Sequence, residues 1–164
     1  MSLYADSGQV DRYLDTLAES IRQIPNFTDY QIIGIRTGGI WVAEALQKKI
    51  PKLSASLGVL DIAFYRDDFS QRGLHPEVKP SSLPFDVNNK AILLVDDVLF
   101  TGRTVRAALN EIFDYGRPAC VKLAVLVDRG CRELPIQADV VGAKVDIQQN
   151  QHLKLTETLC LQLN

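Results

Sequence analysis

Cysteine is scarce in this chain, and the few present are badly spaced for chemistry. Cys120, Cys131 and Cys160 are odd in number, lie far apart and form no Cys-x-x-Cys pair. That pattern supports neither a disulfide framework nor a zinc site, and their plain reading is buried or incidental thiols. Long apolar runs are missing too. No stretch approaches the roughly 18 residues of a membrane span, and the opening residues MSLYADSGQV lack the basic and apolar regions of a secretory signal. A cytoplasmic protein with no membrane partner is the expectation. Neither sign of charge dominates: 18 Lys and Arg against 20 Asp and Glu leave a net charge of −2. That balance offers nucleic acid no general attraction, so only a local basic patch could bind it. No internal repeat is visible.

What is present suits one globular domain spanning residues 1–164. The chain is 46% hydrophobic and 23% charged, with mean hydropathy near zero, and it is long enough to bury one core. Val10, Leu14, Leu17, Ile21 and Ile24 recur at three- and four-residue steps, which predicts an amphipathic helix over 9–24, stopped by Pro25 and Asn26. QIIGI (31–35) reads as a buried strand, followed by Arg36-Thr37-Gly38-Gly39 and the helical run IWVAEALQKK. Residues 57–66 alternate as a strand. From about 66 to 88 there are prolines and mixed charges without period, the mark of a long excursion. Ile92 to Val95 and residues 121–128 read as further buried strands, and Gly116 with Arg117-Pro118 ends the helix between them. Strand and helix in alternation predict an α/β fold: a mainly parallel twisted sheet flanked by helices, with a small hood from the loop and the tail of about 145–164.

The chemistry gathers in ILLVDDVLFTGRT (92–104). Asp96 and Asp97 come where the strand should run out, and Thr101-Gly102-Arg103-Thr104 opens a helix. Helix N-termini offer unpaired amides and a favourable dipole to an anion, and ligands of open α/β sheets sit beyond the strands' carboxyl ends. A phosphate fits the TGRT turn. The carboxylates suit vicinal hydroxyls or a divalent cation. Together they describe a sugar phosphate, although strand, Asp and Gly turn is also an ordinary βα loop. Arg36-Thr37-Gly38-Gly39 is a second cradle, whose paired glycines let consecutive amides face one anion, or simply a tight turn. Arg129-Gly130 ends a third strand on the same edge.

VDDVLFTGRT resembles the 5-phosphoribosyl-1-pyrophosphate (PRPP) signature of type I phosphoribosyltransferases. From about Asp11 to Gly142 the chain is similar to the PyrR family, whose members are pyrimidine-operon regulators and uracil phosphoribosyltransferases. The resemblance implies transfer of ribose 5-phosphate from PRPP to uracil, giving UMP and pyrophosphate. It implies Asp96, Asp97 and Arg72 as catalytic, with Arg72, His75 and Lys79 all open as the lid residue that meets pyrophosphate. PRPP and UMP would be held by Arg36, Thr37, Gly38, Gly39, Arg66 and Asp67, and by Val98, Leu99, Phe100, Thr101, Gly102, Arg103 and Thr104. Arg129 and Gly130 would face the base. Mg²⁺ is the implied cofactor, held mainly through PRPP with no direct protein ligand. In many such enzymes the 36–39 loop contains a cis peptide not involving proline. A homodimer or higher oligomer is implied as well, and Leu155, Leu159 and Leu161 are apolar enough to cover a partner.

Several positions depart from the family. Gly38 stands where K-T-R-G commonly supplies Arg. Asp15 and Glu19 replace polar or basic residues of an RNA-facing helix. Cys131, Gln137 and Ala143 stand in place of a His, an Arg and a Lys, leaving only Arg132 of that cluster. RNA binding is therefore expected to be weak or absent. Two other readings stay open at this point: an RNA-binding attenuator that senses UMP or UTP, and a purine phosphoribosyltransferase.

Overall fold

The computed structural model describes residues 1–53, 56–62 and 81–164. Arg66, Asp67, Arg72, His75 and Lys79 lie outside the described residues. The elements run β1 (Ser2–Ala5), α1 (Ser7–Arg22), β2 (Gln31–Ile35), α2 (Gly38–Lys49), β3 (Leu57–Leu60), β4 (Ala91–Leu99), α3 (Arg103–Tyr115), β5 (Cys120–Asp128), β6 (Val140–Lys144), β7 (Leu153–Leu155) and β8 (Leu161–Leu163).

Five strands pair in the order β3-β2-β4-β5-β6, and every pairing is parallel. Parallel strands with apolar side chains on both faces must be covered on both. Val10, Leu14, Leu17 and Ile21 of α1 and Val42, Ala43 and Leu46 of α2 share one buried cluster with Ile32, Leu93, Val95 and Leu126 of the sheet. On the opposite face Val105, Ala108 and Ile112 of α3 pack with Ile33, Ile35, Ile92, Leu94 and Val125. The stripe read from the sequence is the buried one, and Asp6 caps it by accepting the Gln9 amide at 2.8 Å. Because Gly34 pairs with Val95 and Leu99 with Asp128, the carboxyl ends of β2, β4 and β5 lie side by side.

The structure corrects four expectations. The acidic pair lies inside β4, which continues to Leu99. Pairing with β5 holds this stretch extended after its apolar run has ended. Gly116 does follow α3, but its backbone is extended (φ 160°, ψ −168°) rather than left-handed. A Cβ there would come within 2.9 Å of the Asn88 side chain, whose Oδ1 accepts the Arg117 amide at 2.9 Å. The small second sheet is antiparallel, in the order β1-β8-β7, so the N-terminal residues contribute a strand that their short, exposed sequence does not announce. Finally, the tail leucines are not a free surface. Leu155 and Leu161 are 1% and 0% exposed within the chain's own core, and Leu159 packs against them at positive φ.

Burial of this completeness gives the tail a definite weight in stability. Leu155→Ala should lower the unfolding free energy by about 2–5 kcal/mol, as leucine truncations in packed cores do, read from urea denaturation. A loss below about 0.5 kcal/mol, typical of surface changes, would return the tail to the role of a partner-facing patch.

Candidate active site

Three loops meet at the shared edge, and glycine sets how closely. The first joins β2 to α2, and the peptide bond between Arg36 and Thr37 is cis, the geometry the family resemblance implies there. A Cβ on Gly39 would lie 2.5 Å from the Val95 carbonyl oxygen, and one on Gly34 would lie 3.0 Å from the Gly39 carbonyl. The start of α2 is thus pressed directly onto the middle of β4 at Val95, and only hydrogen fits between them. At Gly38 the space a side chain would need is filled by Asp97, whose Cγ is 2.5 Å from the Cβ position. Gly38, which has no side chain, leaves room for that carboxylate.

Asp96 is 3% exposed and accepts the Asp97 amide at 2.9 Å, which turns Asp97, half-buried, toward the 36–39 loop. Beside it the chain turns through Phe100, Thr101 and Gly102. Gly102 is left-handed (φ 95°) with Ile136 3.0 Å from its Cβ position, so it is glycine for two reasons. α3 begins at Arg103, whose amide donates to Thr101 Oγ1 at 3.2 Å. The side chains of this run are unequal: Leu99 is buried in the core, Val98 packs against the opposite cluster, and Arg103 pairs with Glu133 at 2.8 Å. What Leu99 offers a ligand is backbone alone.

The third loop, after β5, holds more arginine chemistry than its sequence suggests. Arg129 is 4% exposed and lies 3.8 Å over the Phe100 ring. It donates to the Gln151 carbonyl and, at 3.1 Å, to that of Gln148. Its guanidinium therefore holds the tail; the exposed Gly130, left-handed at φ 71°, lies beside it at the edge. Desolvation on burial lowers the pKa of Arg129 from its ordinary value. Arg132 reaches Asp128 Oδ2 at 2.6 Å and the carbonyls of Phe100 and Ile136 at 2.9 and 2.8 Å. Burial alone would raise the Asp128 pKa, but the Arg132 hydrogen bond, the Gly130 amide and the charges of Arg132 and Lys144 bring it below the usual value.

Residues passed over in the sequence join the site. Arg36 Nε lies 3.7 Å from Asp61, the residue after β3, and the Asp61 amide donates to Ser81 Oγ at 3.0 Å. Ser81 in turn donates to Glu111 of α3. Parallel register puts Arg36 opposite Asp61, a signal legible only once the pairing is known. The tail, which reads as free of chemistry, supplies the carbonyls that hold Arg129.

A model of the phosphoribosyl transferase domain matches residues 4–157. The bifunctional protein PyrR of Nitrosococcus oceani is 65% identical over 126 residues, covering 76% of this chain and 71% of the relative. That of Pseudomonas savastanoi pv. phaseolicola is 56% identical over 138 residues, covering 83% and 81%. The chain belongs to the phosphoribosyltransferases, in the PyrR family. Among solved structures, this phosphoribosyltransferase shares its fold with a hypoxanthine-guanine phosphoribosyltransferase of Bacillus anthracis, with TM-score 0.69 at 17% identity over 92% of this chain and 86% of the other. A purine phosphoribosyltransferase of Pyrococcus horikoshii aligns with TM-score 0.64 at 28% identity over 85% and 84%.

Mg²⁺, which the family implies, suits the donor set. Mg²⁺ takes one or two carboxylates and completes its shell with water and substrate phosphate. Asp97 is a hard oxygen donor beside the 36–39 loop, and Asp96 precedes it in β4. The residues fit a cation held mainly by its substrate.

The two loop glycines are expected to fail differently. Gly38→Ala meets a side chain, so it should displace Asp97 and cut transfer activity by at least about tenfold while the melting temperature stays within a few degrees. Gly39→Ala meets backbone, so it should destabilise the fold by about 1–3 kcal/mol, as overpacking does. Thermal denaturation and an initial-rate assay on both variants check this; equal losses of stability would contradict the distinction.

Proposed function

We propose that this phosphoribosyltransferase joins uracil to PRPP, giving UMP and pyrophosphate. The observation that carries the reading is the meeting, on one sheet edge, of an adjacent carboxylate pair, an amide-rich helix start and a glycine-tight loop. The PyrR likeness supports the choice of uracil. In the reaction the ribose C1–O bond to pyrophosphate breaks and a C1–N bond to the base forms as that nitrogen gives up its proton to solvent, with positive charge developing on the ribose between bond breaking and bond making. The amides of Thr101 to Thr104 hold the 5-phosphate at the positive end of α3. Asp96 and Asp97 accept hydrogen bonds from the ribose hydroxyls and stabilise the developing cation. Thr37, Gly38 and Gly39 receive the leaving pyrophosphate, with Arg36, aligned by Asp61, as the charge the loop retains. Mg²⁺ supplies neutralisation of that pyrophosphate when bound with PRPP. Arg66, Asp67 and Arg72 are carried over from the family as further PRPP contacts and lid. Fixed dipoles and position account for the rate, since little covalent work falls to the protein. Self-association rests on the family likeness alone.

With PRPP and Mg²⁺, the protein should convert uracil to UMP and leave hypoxanthine, guanine and adenine untouched. Asp96→Asn and Asp97→Asn should each lower the rate by about 10² to 10³, the usual loss for one preorganised contact. Consumption of PRPP with a purine but not uracil would overturn the assignment.

RNA binding is proposed to be weak. The one arginine left of the family's cluster, Arg132, is spent on Asp128 and on backbone carbonyls. On α1, Asp11 and Asp15 share Lys49, each at 2.7 Å, and Glu19 meets Arg22 at 3.3 Å. This face therefore presents phosphate with little free positive charge. A gel-shift titration with pyrimidine-gene leader RNA at physiological salt should show no specific binding below micromolar; UMP-enhanced, sequence-specific binding there would make regulation the primary role.

A further inference from the structure

The segment 128–136 donates hydrogen bonds to three successive carbonyls of the turn before α3. The Leu99 carbonyl accepts the Arg129 amide at 3.1 Å. The Thr101 carbonyl accepts the amides of Glu133 and Leu134 at 2.9 and 3.2 Å. Between them, the Phe100 carbonyl is taken at 2.9 Å by a side chain, Arg132 Nη1. The next carbonyl, of Gly102, is used by α3 through the Arg106 amide at 3.0 Å. In a planar trans peptide the N–H points opposite to the C=O. Carbonyls drawn toward 128–136 therefore turn the amides of Phe100, Thr101 and Gly102 the other way, toward the concavity before α3. Three successive carbonyls pinned on one side make an anion nest on the other.

From this geometry we infer that Arg132 is the positioning residue of the 5-phosphate nest, orienting its central peptide through the Phe100 carbonyl. The inference deepens the phosphoribosyltransferase reading and rests on it, and it gives Arg132 a role other than the RNA contact its family position suggests. Arg132 is anchored for this work. Its Nη2 is fixed by Asp128 Oδ2 at 2.6 Å, and its Nε by the Ile136 carbonyl at 2.8 Å. Ile136 also fills the space beside Gly102. Arg129, lying over the ring of the same Phe100, holds its side chain while Arg132 holds its backbone. With the Gly130 carbonyl at 3.4 Å Arg132 reaches four acceptors, and a planar fork reaching several acceptors in fixed directions is what guanidinium offers and ammonium does not.

Titration calorimetry of the full chain with two separate probes tests this: ribose 5-phosphate, which needs the nest, and pyrophosphate with Mg²⁺, which needs the 36–39 loop. Arg132→Met should weaken ribose 5-phosphate by about 10- to 100-fold, the scale of a misplacement near 1 Å. It should leave pyrophosphate within about twofold and raise KM for PRPP more than it lowers kcat. Arg132→Lys, which keeps the charge but not the fork, should recover part of the affinity. Wild-type affinity for ribose 5-phosphate in both variants would overturn the inference, and so would an equal loss for both probes with a lowered melting temperature, the mark of a general structural role. If the wild-type protein itself binds neither probe, the functional reading fails first and this inference with it.

Discussion

The site depends on one close contact, the seat of Gly39 against the Val95 carbonyl. With a Cβ position only 2.5 Å from that oxygen, α2 can begin here only if residue 39 has no side chain. The parallel pairing of Gly34 with Val95 brings the two segments level, and the glycines let the helix start close on the middle of β4. As a result the 36–39 loop and the acidic pair form one solid piece. Asp97 rests where Gly38 has no side chain, and Asp96 holds it there through the backbone. A carboxylate fixed in this way need not be reorganised when charge develops in front of it, which is how such groups accelerate reactions.

The phosphate side is built by a different means. Loops with exposed amides must place their carbonyls somewhere, since buried backbone groups without partners are costly. Here the 128–136 segment and α3 accept that task between them, so the order of the nest depends on a stretch of chain about 30 residues away in sequence. The Asp128 carboxyl takes part in this order. Its folded pKa lies below the usual carboxylate value, so its contribution is complete above the unfolded pKa of about 3.9 and is lost as pH falls through the folded value. At neutral pH the brace is fully charged.

Much of this was legible in the residues. Apolar runs marked β2, β4 and β5 within a few positions because parallel strands buried on both faces need them. The three- and four-residue steps of α1 marked its inner face. VDDVLFTGRT points to a sugar-phosphate site because its chemistry is local: carboxylates, glycine and helix start are consecutive. The rest depends on partners distant in sequence. Nothing near Arg129 says that its guanidinium will meet carbonyls at 148 and 151, or that Arg132 will face Phe100. The pairing of Arg36 with Asp61 follows from register, which no single strand reveals. The tail leucines misled for a related reason, since an apolar alternation fits a chain's own core and a partner's surface equally well.

The most direct measurement is a crystal structure of the protein with UMP bound. The expected result is the 5-phosphate within hydrogen-bonding distance of the amides of residues 101–104, the ribose hydroxyls on the Asp96–Asp97 carboxylates, and Arg132 still joined to the Phe100 carbonyl. A phosphate seated elsewhere, or a nest that forms only after the 128–136 segment has moved away from it, would contradict this view of the site.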